Sequence, residues 1–240
     1  LLQIIGSYGE CADGIWRLRV DREIHLQDSV ADKTPRDYQI ARKFRDNCIT
    51  EGIDPRNAAL DTSGAGSVLW SIIAEEWSKD VLPVNFSGSP SETYVRANDT
   101  NTADKQFDRR VSELWWVGRE FMKYGQIRGV SQDLARELLA RRYDTVKGAD
   151  GLKVSVETKK DMKKRLGFSP DLADSFAVLL DLCRQRFNFL AGGTATGQNA
   201  ERISWEKQIE AANDLYANVD YSGDGEIVQE THYEPAPFLP

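Results

Sequence analysis

The N-terminal part of the chain alternates apolar and polar residues in two runs, over residues 1–8 and 15–27. Such alternation is typical of strands that bury one face, and a turn at residues 10–14 separates the two runs. The pattern therefore predicts an antiparallel pair of strands. After Pro35 the apolar residues recur every three or four positions until Gly52, which predicts a helix between these two residues.

A short apolar run at residues 58–61 ends in an acid, Asp61, and a glycine-rich turn follows it. The pattern then predicts a helix over residues 68–77 and a buried strand over residues 81–86. The turn has neither the third glycine of a dinucleotide site nor the lysine of a phosphate-binding loop. An acid at the end of a buried strand lies where ligands bind in α/β sheets. Taken alone, Asp61 is equally consistent with a turn residue or a helix cap.

The second half of the chain is predicted to be mainly helical. Apolar periodicity indicates helices over residues 107–124 and 131–143, and a last helix that ends near Phe189. Between them, residues 143–156 alternate around two glycines and are predicted to form a hairpin of strands.

The last helix is predicted to begin with Ser169 as its N-cap and Pro170 at its first position. Asp171 and Asp174 follow three residues apart, so both project from the same side of the first turns. One interpretation is a core helix with an acidic start, because carboxylates are favourable at a helix N-terminus. The other interpretation is that these two acids share a site with Asp61. The helix is expected to bury a stripe of Leu172, Phe176, Leu180, Cys183 and Phe187.

The composition of the chain excludes several classes of protein. Its 240 residues are 40% hydrophobic and 29% charged, which is typical of one globular domain with appendages. With two histidines and three scattered cysteines, no cluster has the spacing of zinc ligands, and a reduced, cytoplasmic setting is favoured. No apolar run approaches the ~20 residues that span a membrane, and no signal peptide is recognisable.

The formal net charge of −7 lies entirely in residues 201–240, which hold nine acids and two bases. We therefore expect one domain over residues 1–190, followed by a linker and a partly helical acidic tail over residues 191–240. Within the neutral part, a basic cluster directly precedes Asp171, where it could hold a phosphate backbone. The alternative is a solvated helical face. The cluster consists of Lys159, Lys160, Lys163, Lys164 and Arg165.

The order of the predicted elements, with acids on a central strand and on a late helix, suggests a ribonuclease H-like α/β domain in which helices flank a mixed sheet. Four motifs occur along this predicted domain. They lie at residues 60–66, at 84–89, at 113–116, and at 159–165 with 169–174. In this order they resemble the C-terminal nuclease domain of the large terminase subunit of tailed double-stranded DNA bacteriophages. The resemblance covers about residues 1–190, and it depends on the order of the motifs rather than on any single one.

The resemblance implies a divalent-metal-dependent DNA endonuclease, a hydrolase that cuts concatemeric viral DNA during genome packaging. Such an enzyme uses two Mg²⁺ or Mn²⁺ ions, one to activate water and one to stabilise the leaving oxygen. On this resemblance Asp61 and Asp171 are catalytic metal ligands, Asp174 is an additional ligand or a supporting group, and the basic cluster contacts the DNA.

The same resemblance implies the partners and the location. The partners are double-stranded DNA, a portal protein, a small terminase subunit and an ATPase domain of the same polypeptide. No binding to a membrane is expected. The expected location is the host cell cytoplasm, with a transient stay on the procapsid.

The chain departs from the family in one respect. The family's first acid lies on a first strand, just before the position where this chain begins, and residues 1–5 contain no acid. Either that strand and the preceding ATPase domain belong to a longer polypeptide, or the site is incomplete.

Two other functions remain open. The first is another ribonuclease H-like DNA nuclease, of the resolvase or integrase type, which would share the acids. The second is a non-catalytic docking module of a packaging motor, in which Asp61 and Asp171 only cap helices.

Overall fold

The computed structural model describes residues 1–64, 66–149 and 151–193. Its strands are β1 (Leu2–Glu10), β2 (Trp16–His25), β3 (Ala59–Asp61), β4 (Leu82–Val84), β5 (Ile127–Arg128), β6 (Tyr143–Gly148) and β7 (Gly151–Val156). Its helices are α1 (Arg36–Thr50), α2 (Gly66–Glu76), α3 (Ala103–Gln106), α4 (Arg110–Lys123), α5 (Gln132–Ala140), α6 (Lys159–Leu166) and α7 (Asp171–Phe187), with a 3₁₀ turn at Pro55–Asn57.

The strands form three groups. β1 and β2 are the predicted antiparallel pair, and β5 joins β2 in parallel, which gives a mixed sheet in the order β1-β2-β5. β3 and β4 form a separate parallel pair that α2 connects. β6 and β7 form the predicted hairpin. The two strand pairs predicted from alternation are thus confirmed, as is the predicted α/β class with a mixed sheet flanked by helices.

Several boundaries differ from the predictions. The helix after the basic cluster starts at Asp171, so Pro170 is its N-cap residue and Ser169 is not, and the helix has no cap from its own flanking side chains. The basic cluster is itself a helix, α6, which the Thr158 side chain caps and Gly167 ends in the left-handed conformation. α3 and β5 were not predicted, because neither is long enough to show a period.

α7 runs along β1 and β3, and its contacts with them show the relative directions of these two strands. The Ser175 hydroxyl at its start donates to the Leu2 carbonyl at 3.0 Å, and Phe187 at its end stacks on Tyr8 with ring centroids 4.9 Å apart. β1 therefore runs in the same direction as α7. β3 runs in the opposite direction, since Arg186 near the end of α7 donates to the carbonyl of Arg56, which precedes β3.

A cavity of about 420 Å³ lies between β1 and β3. Within the described part of the chain, β1 pairs only with β2, and β3 pairs only with β4, so each strand presents one open edge to this cavity. α7 lines one side of the cavity and α1 the other. The apolar lining includes Leu2, Ile4, Ile40, Phe44, Leu60, Leu69, Val178, Leu179 and Leu182.

No helix within the described residues is both long and apolar enough to cross a membrane. Apart from its first three residues, the linker and acidic tail predicted over residues 191–240 lie outside the described part of the chain.

Candidate metal centre

Asp61 stands at one end of the cavity, as the last residue of β3. α2 starts so close to it that a Cβ at Gly66 would lie 1.9 Å from the Asp61 carbonyl oxygen, so only glycine fits there. The Asp61 carboxylate accepts a hydrogen bond from the Ser63 amide at 2.8 Å. Burial raises the pKa of Asp61, the Ser63 hydrogen bonds oppose this rise, and the negative charge of Asp174 adds to it.

The first turn of α7 brings Asp171 and Asp174 into the lining of the same cavity. The Lys159 ammonium group, at the start of α6, lies 2.7 Å from Asp171 Oδ1 and 2.9 Å from Asp174 Oδ2. Burial disfavours the charged form of Asp171, but the Lys159 and Ser169 hydrogen bonds outweigh this effect and lower its pKa. Burial likewise opposes the charge on Lys159, yet the two carboxylates raise its pKa. A cation therefore already bridges two of the three predicted acids.

The second oxygen of Asp174 has no comparable partner among the residues that the structure describes. Within them, its Oδ1 is buried without a hydrogen bond and faces Nη1 of Arg141 at 3.5 Å, an atom that also lacks a hydrogen bond there. The Arg141 side chain is only 4% exposed, its guanidinium carbon lies 4.4 Å from the centroid of the Trp115 ring, and its Nε donates to the Glu157 carbonyl.

The acids offer the ligand type that a hard divalent cation prefers, but too few of them are grouped together to hold one. Carboxylate oxygens are the ligands that Mg²⁺ and Mn²⁺ prefer, and the unpartnered Oδ1 of Asp174 is one such donor. In the described residues, however, no three histidine, cysteine or acidic side chains are grouped so that they could hold a metal ion together. A complete shell would need a shift of Lys159 and at least one further ligand.

The basic cluster divides into residues with different environments. Lys160, Lys163 and Lys164 are exposed on α6, at spacings that put them on neighbouring positions of the helix surface. Arg165 instead donates to the Glu157 carboxylate and to the Ala140 carbonyl. Lys159 is held by the acids, so the exposed lysines are the ones available to a phosphate backbone.

Glu113, from the third motif, is part of a buried ion-pair network. It is fully buried and accepts hydrogen bonds from Arg184 at 2.7 Å and Arg110 at 2.8 Å, and both the amide and the hydroxyl of Ser91 donate to it. Burial works against its ionisation, but the two arginines outweigh this effect and lower its pKa. This network joins α4 to α7 and to the loop that follows β4.

Sequence reasoning missed Glu137. This residue of α5 accepts hydrogen bonds from the backbone amides of Leu172 and Ala173, both at 2.8 Å. No sequence signal marks it, because the contact depends on how α5 packs against α7.

The comparisons with known proteins concern the fold. Neither a family model nor a curated protein matches the chain. The chain is similar to the nuclease domain of a viral large terminase subunit. The nuclease domain of gp2 of bacterial virus Sf6 shares 18% identity with it, covering 74% of this chain and 82% of that chain, with a TM-score of 0.47. A mutant of that domain solved with manganese also shares 18% identity, covering 69% and 81%, with a TM-score of 0.47.

A further mutant, solved with calcium, is 17% identical and covers 74% of this chain and 82% of that chain, with a TM-score of 0.46. These solved domains are of the same kind as the family that the motifs resemble. At this identity the similarity carries no information about the side chains of the site.

Proposed function

We propose that the chain is a divalent-metal-dependent DNA endonuclease domain of the ribonuclease H-like type. The observation that carries the proposal is that Asp61, Asp171 and Asp174 line one cavity and that the charge of Asp174 acts on Asp61, although more than 100 residues separate Asp61 from Asp171. Carboxylates that lie close enough to raise one another's pKa, as Asp174 does for Asp61, are typical of functional sites. The ammonium group of Lys159 lies between Asp171 and Asp174, which supports the proposal that a cation can bind there.

The proposed roles follow from these positions. Asp61, Asp171 and Asp174 would hold Mg²⁺ or Mn²⁺, ions that in such sites activate water and stabilise the leaving oxygen of a phosphodiester. Lys159 would offset part of the negative charge of Asp171 and Asp174 before a metal enters. The exposed lysines of α6 would hold the phosphate backbone of double-stranded DNA next to the acids, since Lys159 joins that helix directly to the site.

We further infer that a strand preceding Leu1 in the polypeptide fills the cavity between β1 and β3. The support is the pair of open strand edges that face each other across it, with an apolar lining on both sides. A strand here would end beside Asp61 and could supply the further acid that the site needs. The domain over residues 1–190 would then be completed by a segment outside this chain.

The biological setting is proposed from the motif resemblance. The enzyme would cut concatemeric viral DNA during genome packaging, together with an ATPase domain of its own polypeptide, a portal protein and a small terminase subunit. It would work in the host cytoplasm and transiently on the procapsid.

One observation favours a second candidate, the non-catalytic docking module. Asp61 and Asp171 each have a local partner, Ser63 and Ser169, as expected for residues that only stabilise the ends of elements. The two candidates differ in whether the acids bind metal.

The test is cleavage of supercoiled plasmid DNA with Mn²⁺, using the protein expressed from its complete reading frame. We expect nicking that Asp61→Asn and Asp171→Asn each reduce by about 100-fold or more, as loss of several kcal/mol of charge stabilisation requires. Glu92→Gln, an exposed acid elsewhere, serves as the control and should cut normally. Cleavage that persists in both variants, or a protein that neither cuts DNA nor binds Mn²⁺, would refute the nuclease and favour the docking module.

A further inference from the structure

α7 receives its N-terminal cap from another helix. The first amides of any helix lack partners within it, and at α7 neither Pro170 nor a neighbouring side chain supplies one. Glu137 of α5 fills this gap, because one of its carboxylate oxygens accepts from the amides of both Leu172 and Ala173 at 2.8 Å. These amides lie between Asp171 and Asp174, the two acids that α7 contributes to the cavity.

α5 is itself fixed on several sides, so its carboxylate is held firmly. Ser131 caps the helix and also contacts Glu23 of β2, and the Leu134 side chain is completely buried. The Arg136 guanidinium lies 5.0 Å from the centroid of the Phe168 ring, just before α7. At the other end, Arg165 of α6 donates to the Ala140 carbonyl. A residue on such a frame can determine where the first turn of α7 lies.

The residue that follows α5 extends the same frame to Asp174. Arg141 lies one helical turn beyond Glu137 and faces Asp174 Oδ1 at 3.5 Å, while its own position is fixed by Trp115 and by the Glu157 carbonyl. In the first turn of α7, the backbone amides of Leu172 and Ala173 thus contact Glu137, and the side chain of Asp174 faces Arg141. Glu137 does not line the cavity, and in this respect it differs from the proposed ligands Asp61, Asp171 and Asp174, which do.

The position of Glu137 also has an electrostatic cost. Burial raises its pKa, its two amide hydrogen bonds work in the opposite direction, and the charges of Asp171 and Asp174 raise it further. A serine or threonine next to the helix would cap α7 without adding a third negative charge. The acid therefore caps α7 against the repulsion of Asp171 and Asp174, although a negative charge at a helix N-terminus is itself favourable.

We propose that Glu137 is a positioning residue for the metal site, which holds the first turn of α7 so that Asp171 and Asp174 present their carboxylates to the same ion. This inference rests on the proposed function. It assigns Glu137 no contact with the metal: the residue acts through the amides of Leu172 and Ala173.

The test compares Glu137→Ala with Glu137→Gln, because glutamine keeps an oxygen that can accept both hydrogen bonds but loses the charge. Mn²⁺ binding is measured by calorimetry, and amide hydrogen exchange is measured at Leu172 and Ala173, both well below the melting temperature. We expect Glu137→Ala to lose about 10-fold or more in Mn²⁺ affinity, the usual effect of removing a group that orients a ligand, and to lose amide protection. Glu137→Gln should stay within about 3-fold of the parent and keep the protection.

Asp133→Ala is the matched control, since it removes an exposed acid from the same helix and should change neither quantity. If Glu137→Ala loses amide protection but binds Mn²⁺ as the parent does, the residue is only a structural cap and the inference is wrong. If both variants lose affinity while the amides stay protected, Glu137 is itself a ligand and the inference is also wrong. A parent protein that binds no Mn²⁺ would instead overturn the proposed function, which separates the two failures.

Discussion

Lys159 provides the positive charge next to Asp171 and Asp174 in the cavity between β1 and β3. Its ammonium group lies within 2.9 Å of oxygens on both Asp171 and Asp174, and a metal ion would need the same oxygens. We therefore predict that Lys159→Ala raises the affinity for Mn²⁺ by about fivefold, because two partly exposed ion pairs are together worth roughly 1 kcal/mol. Isothermal calorimetry measures this directly. An unchanged affinity would mean that the ammonium group does not compete with the metal.

The same variant should be slightly less stable than the parent when metal is absent. The pKa of Asp171 is lowered from 3.8, so its contribution is present above that value and is lost as the pH falls through the lower folded pKa. The pKa of Lys159 is raised from 10.5, so its contribution is lost as the pH rises through the higher folded pKa. The difference in melting temperature should thus be largest between about pH 4 and pH 10, and it should decline as the pH falls through the folded pKa of Asp171 or rises through that of Lys159. Lys160→Ala should show no such difference.

At the scale of elements, α6 connects the acids to an exposed basic surface. Lys159 begins the helix at the site, and Lys160 and Lys164 lie one turn apart on its exposed side. If DNA runs along this helix, replacing both with alanine should weaken DNA binding and reduce the slope of log K against log salt by about two, or ~0.9 per lost phosphate contact. Fluorescence anisotropy with Ca²⁺ instead of Mn²⁺ at several salt concentrations would give the slope.

A matched pair of lysines provides the control for that measurement. Lys79 and Lys123 are exposed on other parts of the chain, and their double replacement removes the same charge. The proposed DNA path predicts a clearly smaller effect for this pair. Equal losses from both double variants would show that DNA responds to overall charge and not to α6.

At the scale of the whole molecule, the sequence predicts what depends on local pattern and misses what depends on packing. β1, β2 and the β6–β7 hairpin follow from alternation, whereas the roles of Asp61 and Asp171 stay predictions from the motifs. β5 is only two residues long and exists because Ile127 and Arg128 pair with β2, more than 100 residues earlier. α6 carries one fully buried apolar residue, Met162, which is too little for a recognisable stripe. Glu137 was missed for the same reason as β5.

The open edges of β1 and β3 lead to a prediction about the complete sheet. Because Leu26 donates to the Leu1 carbonyl, Ile4 directs its backbone groups away from β2 and towards the cavity. Because Thr62 donates to the Val84 carbonyl, Asp61 directs its backbone groups away from β4 and towards the same cavity. β1 and β3 run in opposite directions, so one inserted strand antiparallel to β1 is parallel to β3 and can satisfy both edges.

Expression from the complete reading frame, compared with this chain alone, should therefore slow amide hydrogen exchange at Ile4 and Asp61. Gln3 and Leu60 are the internal controls, because their amides already face β2 and β4 and should change less. The melting temperature should rise as well, by about 2–4 °C for each kcal/mol that the added strand contributes. Filling the cavity without pairing its edges would raise the melting temperature and leave Ile4 and Asp61 exchanging as before. That result would argue against an inserted strand, and with it against an acid delivered beside Asp61 by that route.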